Sequence, residues 1–114
     1  MYKVRIHPLA EEDFLAFKKA GKTKFAARAL KKIQMIAALP NPAKHNNVVM
    51  LDEDAPEWYR YKDGDIRIIF RFTQSGIEAV MNDTIEITML AQRNEKTYRG
   101  ELQRRYRLIE GENP

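Results

Sequence analysis

The stretch from Trp58 to Phe72 constrains this chain more than any other part of it. It reads Trp58-Tyr59-Arg60-Tyr61-Lys62-Asp63-Gly64-Asp65-Ile66-Arg67-Ile68-Ile69-Phe70-Arg71-Phe72. Charged and apolar residues alternate on both sides of Asp63-Gly64, a dipeptide that is a strong hairpin-turn signal. Strand side chains alternate with period two, so Trp58, Arg60, Lys62, Arg67 and Arg71 share one face. Tyr59, Tyr61, Ile66, Ile68, Phe70 and Phe72 take the other, which is the expected core side. Two registers are open. A turn at Asp63-Gly64 sets Arg60 opposite Arg67 and Lys62 opposite Asp65, whereas a turn at Gly64-Asp65 sets Lys62 opposite Arg67. Like charges directly opposed on a sheet cost roughly 0.2–1 kcal/mol per pair. The crowding is therefore either a solvated face balanced by Asp65 and the acidic loop at 52–57, or a site for an anion.

The rest of the chain supplies elements for such a hairpin to pack against. Residues 2 to 6 alternate as a half-buried strand, with Tyr2, Val4 and Ile6 on one side. Pro8 suits a first helical turn, Glu11, Glu12 and Asp13 sit where the helix dipole favours negative charge, and Gly21 ends that helix. Thr23 is the expected cap of a second helix running to about Leu39, with Phe25, Ala26, Ala29, Leu30, Ile33, Ile36 and Ala37 as its apolar stripe. Pro40-Asn41-Pro42 stops it. Val48 to Leu51 is a short apolar run, Thr84 to Ala91 a further strand, and from Asn94 the chain turns helical with Leu102, Tyr106 and Ile109 spaced to dock one face. Helices placed before a mostly antiparallel sheet of four or five strands, with one more helix after it, describe an α+β sandwich.

Composition narrows the class. The 114 residues, 44% hydrophobic with 5 Gly and 5 Pro, suffice for one modest core, so residues 1–114 are expected to form a single domain. The chain has no cysteine, which excludes disulfides, thiolate zinc sites and cysteine nucleophiles. No apolar run approaches membrane length and the first residues do not read as a leader, so a cytoplasmic protein with no membrane contact is expected. The net charge of +4 is unevenly spread: residues 1 to 51 carry ten basic and three acidic groups, while Asp52, Glu53, Asp54 and Glu57 follow with no base between them. That acidic run lacks the order of a calcium loop and is better explained as a solvated loop or an internal partner for cations. His7 and His45 stand without a second ligand or base at motif spacing and suit cap or surface roles. No phosphate loop, dinucleotide fingerprint or nucleophile elbow occurs. Arg104, Arg105 and Arg107 fit a solvated helix face slightly better than a grip on RNA.

Arg93 after the last strand and Tyr98 shortly beyond it complete a pattern. With the N-terminal strand, the helical hairpin ending at Leu39-Pro40 and the block from Tyr59 to Phe70, the chain resembles the RelE and ParE toxin superfamily nearly end to end. The resemblance implies the RelE-like microbial RNase fold and a ribosome-dependent endoribonuclease that cleaves translated mRNA in the ribosomal A site, next to rRNA. It implies a cognate small antitoxin protein, bound as a helix or strand across the basic surface, and no cofactor. In the family's ribosome-dependent RNases, the matching positions line the active site: Arg60, Lys62, Arg67, Arg93 and Tyr98. Tyr98 or Lys62 would help deprotonate the 2′-hydroxyl, Arg67 would stabilise the phosphorane, and Arg93 or Arg60 would assist the leaving group. Arg60, Arg71, Lys96 and Arg99 are the expected RNA contacts. Such cleavage uses the 2′-hydroxyl as an internal nucleophile and requires no metal. The same fold hosts ParE-like toxins that bind DNA gyrase without cutting RNA, and a non-catalytic nucleic-acid-binding module is a third alternative. By parity alone, a strictly regular last strand turns Arg93 toward the face of Ile85, Ile87 and Met89.

Overall fold

A computed structural model describes residues 1–93 and 98–112. The alternating N-terminal residues form strand β1 (Lys3–Ile6), and His7 caps the helix that follows, its Nδ1 accepting from the Leu9 amide at 3.1 Å. Helix α1 (Pro8–Lys19) carries Pro8 in its first turn and ends as Gly21 adopts φ +79°. The Gly21 amide donates to Lys18 and the Lys22 amide to Phe17, closing the last carbonyls as a Schellman motif does. This tight exit leaves three linking residues, Ala20, Gly21 and Lys22. Helix α2 (Thr23–Ala38) therefore begins with Thr23 already in its first turn, and Lys22 occupies the cap position without a side-chain bond, so Thr23 is not the cap the sequence suggests. A 3-10 turn at Pro42–Lys44 leads into the sheet.

Four strands follow: β2 (Val48–Met50), β3 (Tyr59–Asp63), β4 (Ile66–Thr73) and β5 (Thr84–Gln92), and helix α3 (Tyr98–Glu110) comes last. The sheet order is β1-β5-β4-β3-β2, with β1 parallel to β5 and every other pair antiparallel. The α+β architecture expected from the sequence is the one observed. In the β3–β4 hairpin Lys62 pairs with Arg67 and Asp63 with Ile66, so Gly64 and Asp65 form the turn. Gly64 has φ +57° and Asp65 does not share the positive sign, the pattern of a type II′ turn with glycine first.

Both faces of the sheet are covered. On one, Tyr61, Ile66, Ile68, Phe70, Ile85 and Ile87 pack against Phe14, Phe25, Ala29, Ile33 and Ile36 of the helical hairpin. The other face is not the open surface that alternation suggests. Trp58, Ile69, Met89 and Ala91 are buried there beneath Leu102 and Ile109 of α3, and the Trp58 indole donates to Glu110 at 2.7 Å. α3 shelters the middle of this face and leaves the hairpin end free for polar side chains.

Candidate anion site at the hairpin end of the sheet

Arg60 and Lys62 project from β3, and Arg67 from β4, onto the α3 side of the sheet. Arg93 joins them because β5 is irregular. Pairing runs Ile69↔Met89 and then Phe70↔Ile87, so Thr88 is an extra residue and reverses the strand's alternation. Ile85 and Ile87 enter the core under the helical hairpin, whereas Met89 and Ala91 enter the one under α3. The Arg93 amide donates to the Asp65 carbonyl at 2.8 Å, continuing the shifted register by one more pair. A regular strand would have placed Arg93 on the side of Ile85 and Ile87. The bulge places it on the side of Arg67.

Charge balance separates these cations from the others. Arg5, Arg28, Arg71, Arg99, Arg104 and Arg105 each have a carboxylate partner. Among the described residues, the arginines without one are Arg60, Arg67, Arg93 and Arg107, and the first three gather here. The turn's own carboxylates face away: Asp63 pairs with Lys32 at 3.0 Å, and Asp65 with Arg28 at 3.1 Å. Asp54 of the acidic loop takes Arg99 and Gln103 of α3. Neither Asp65 nor that loop pairs directly with a cation of the basic face. Arg67 instead donates to the carbonyls of Gly64 (2.7 Å) and Ile66 (2.9 Å). Burial, followed by the charges of Arg60 and Arg93, presses its pKa below the ordinary arginine value, as expected of cations held together without an anion.

Tyr98 opens α3 and leans over this cluster. Burial raises its pKa above that of a free tyrosine, and the opposing pull of Arg60 and Arg67 is too small to reverse the shift. The phenol therefore remains protonated at neutral pH. Its hydroxyl and Arg60 Nε are the buried side-chain polar atoms left without a hydrogen-bond partner among the described residues, and they adjoin one another. Buried polar atoms are nearly always satisfied, so an unmet pair beside unbalanced cations marks a place for an acceptor-rich ligand. An open groove of about 490 Å³ continues outward past Arg60 and Lys62 to Asn46, Asn47 and Val49. No sequence motif announces the two asparagines; the β2–β3 pairing brings them there.

Other expected residues lie elsewhere. Arg71 is bound to Glu86 at 2.7 Å and Glu110 at 3.0 Å and is only 15% exposed. Burial opposes its charge, the two carboxylates more than offset that, and its pKa rises. Arg71 is thus consumed within the fold. Arg99 is exposed and paired with Asp54 at 3.3 Å. Lys96 lies outside the described residues. Arg105 is not on a solvated face: it is 5% exposed and held by Asp13 and Glu101. His7 is a helix cap, as its isolation suggested.

No family model matches the chain. No curated protein matches it either. Among solved structures, a chain of the YoeB-YefM complex from Staphylococcus aureus superposes with a TM-score of 0.56 at 16% identity, over 80% of this chain and 95% of that one. The similarity is one of fold, and the fold is RelE/YoeB-like.

Proposed function

We propose that this chain, acting as one domain, is a RelE-type endoribonuclease toxin that cleaves translated mRNA on the ribosome without a metal. The observation that carries the proposal is the gathering of Arg60, Arg67 and Arg93, all without a carboxylate partner among the described residues, around a buried Tyr98 hydroxyl and Arg60 Nε that make no hydrogen bond there. A phosphodiester would satisfy them. Guanidinium groups suit its non-bridging oxygens, and preorganised cations stabilise the added charge of a phosphorane. The 2′-oxygen attacks phosphorus, the bond to the 5′-oxygen breaks, and a 2′,3′-cyclic phosphate and a 5′-hydroxyl result. Tyr98, kept protonated by burial, is assigned the proton for the departing 5′-oxygen. Lys62, exposed and directly opposite Arg67, is assigned the proton of the 2′-hydroxyl. Arg67 contacts the phosphorane, with Arg60 and Arg93 on either side of it.

A small antitoxin would silence the site by covering the basic surface. The fold neighbour was found in a complex of two proteins, which supports a protein partner here. A cytoplasmic place of action suits that substrate, and among the described residues no helix is long and apolar enough to cross a membrane. The test is induction in cells, with new mRNA 5′ ends mapped and gyrase supercoiling assayed in parallel. Cuts in frame with translation are expected, with Arg67→Ala and Tyr98→Phe each lowering cleavage by about 100-fold or more. Blocked supercoiling with intact mRNA would assign the chain to the gyrase-binding alternative. Salt-sensitive RNA binding with no product would make it a binding module.

A further inference from the structure

The bulge in β5 leaves main-chain groups to be satisfied, and the side chains that satisfy them tie two parts of the site together. Thr88 and Leu90 lie past the last β1 pair, Ile6↔Ile87, so β1 is not there to receive their polar groups. Arg105 Nη1 donates to the Thr88 carbonyl at 3.0 Å, and the Leu90 amide donates to Asp13 Oδ2 at 2.9 Å. Arg105 also binds both carboxylate oxygens of Asp13, and Glu101 accepts from its Nε and Nη2 at 3.1 and 2.8 Å. All five guanidinium N–H donors are therefore used. Thr88 is pinned on its other side, its hydroxyl donating to the Ile69 carbonyl at 3.2 Å.

A buried ion pair contributes little net stability, since desolvation offsets the attraction. Its geometric effect here is specific. The extra residue decides which face carries Arg93, and the bonds from Asp13 and Arg105 reach the main chain on and just beyond that residue. Arg105 also sits two turns after Tyr98 on the same helix. One guanidinium thus sets the helix that bears Tyr98 against the strand that leads to Arg93. We infer that Asp13 and Arg105 are positioning residues, a clamp on Thr88 and Leu90 that holds the β5 bulge and so keeps Arg93 and Tyr98 on the phosphodiester. This rests on the anion-site assignment above.

The experiment is a coupling cycle on the full chain, using a 2′-O-methyl single-stranded RNA that binds but cannot be cut. Arg93→Ala is expected to weaken binding by about tenfold in the natural background and by less than about twofold once Arg105→Lys is present, because Arg93 is then already misplaced. Lys62→Ala should cost the same in both backgrounds. Asp13→Asn, which keeps an oxygen for the Leu90 amide, should preserve most of the Arg93 effect, and Asp13→Ala should lose it. Amide exchange at Leu90 reads the clamp without RNA: it should quicken by about tenfold or more in Arg105→Lys and Asp13→Ala. A full Arg93→Ala effect in folded Arg105→Lys, or unchanged exchange at Leu90, would overturn the clamp. Wild-type protein that binds no RNA would overturn the anion site instead, while the exchange result still judged the clamp.

Discussion

Gly64 shows how one residue's conformation reaches the site. Its φ of +57° is left-handed, yet beyond its two chain neighbours no heavy atom lies within 4 Å of where a Cβ would stand. A side chain there meets backbone strain and no clash. Left-handed backbone costs an ordinary residue roughly 1–2 kcal/mol. Gly64→Ala should accordingly lower Tm by about 4–8 °C per kcal/mol, and Gly64→Asn by less, as thermal unfolding would record. Arg67 rests on the Gly64 carbonyl, so strain in the turn reaches the candidate anion site. At this scale much was legible. Parity along the hairpin put Arg60, Lys62 and Arg67 together, and the structure keeps them so. The fate of Arg71 was not legible, because its partners Glu86 and Glu110 come from distant elements. Arg105 could have been found: it lies between Leu102 and Ile109 at helical spacing, on the stripe that docks.

At the scale of elements, sequence pattern located the strands and helices well and missed two things that depend on pairing. One is the bulge at Thr88, since nothing in Thr84 to Gln92 signals an extra residue and only the partner strand reveals it. The other is the second core, hidden because Trp58 and Ile69 share parity with cations and are covered by a helix from far along the chain. The long connection between β4 and β5 is a separate case. Asp83 closes it, accepting from the Ser75 amide at 2.7 Å, the Ser75 hydroxyl at 2.6 Å and Thr84 at 2.9 Å. These bonds, the Ser75 hydroxyl foremost, hold its carboxyl at about 2 against an ordinary 3.8. A depressed acid stabilises the fold above the unfolded value and loses that contribution as pH falls through the folded one. Stability should thus decline between about pH 4 and pH 2 in part through Asp83, and Asp83→Asn should flatten that limb in acid denaturation curves. An unchanged acid limb would mean the closure carries no stability.

For the whole molecule, location of charge matters more than its total. The chain is only +4, but most of its arginines are spent on internal carboxylates, and the four cations Arg60, Lys62, Arg67 and Arg93 are left to a single end of the sheet. If all four meet phosphates of single-stranded RNA, the logarithm of affinity should fall against the logarithm of salt with a slope of about −3, from roughly −0.7 per contact. Removing any one of the four should reduce the slope by about one contact, whereas Arg104→Gln should leave it alone. The pairing of β1 with β5 bears on when such a surface can exist. Lys3 meets Thr84 and Ile6 meets Ile87, so the first strand made waits for the last one before it has a neighbour. Contacts this distant in sequence slow folding and resist completion on a growing chain. A nascent copy cannot close its sheet until Gln92 has left the exit tunnel, nor seat Tyr98 until α3 follows. The basic end of the sheet, with the seat of Tyr98 beside it, is thereby absent from a growing chain until its last strand and helix have emerged.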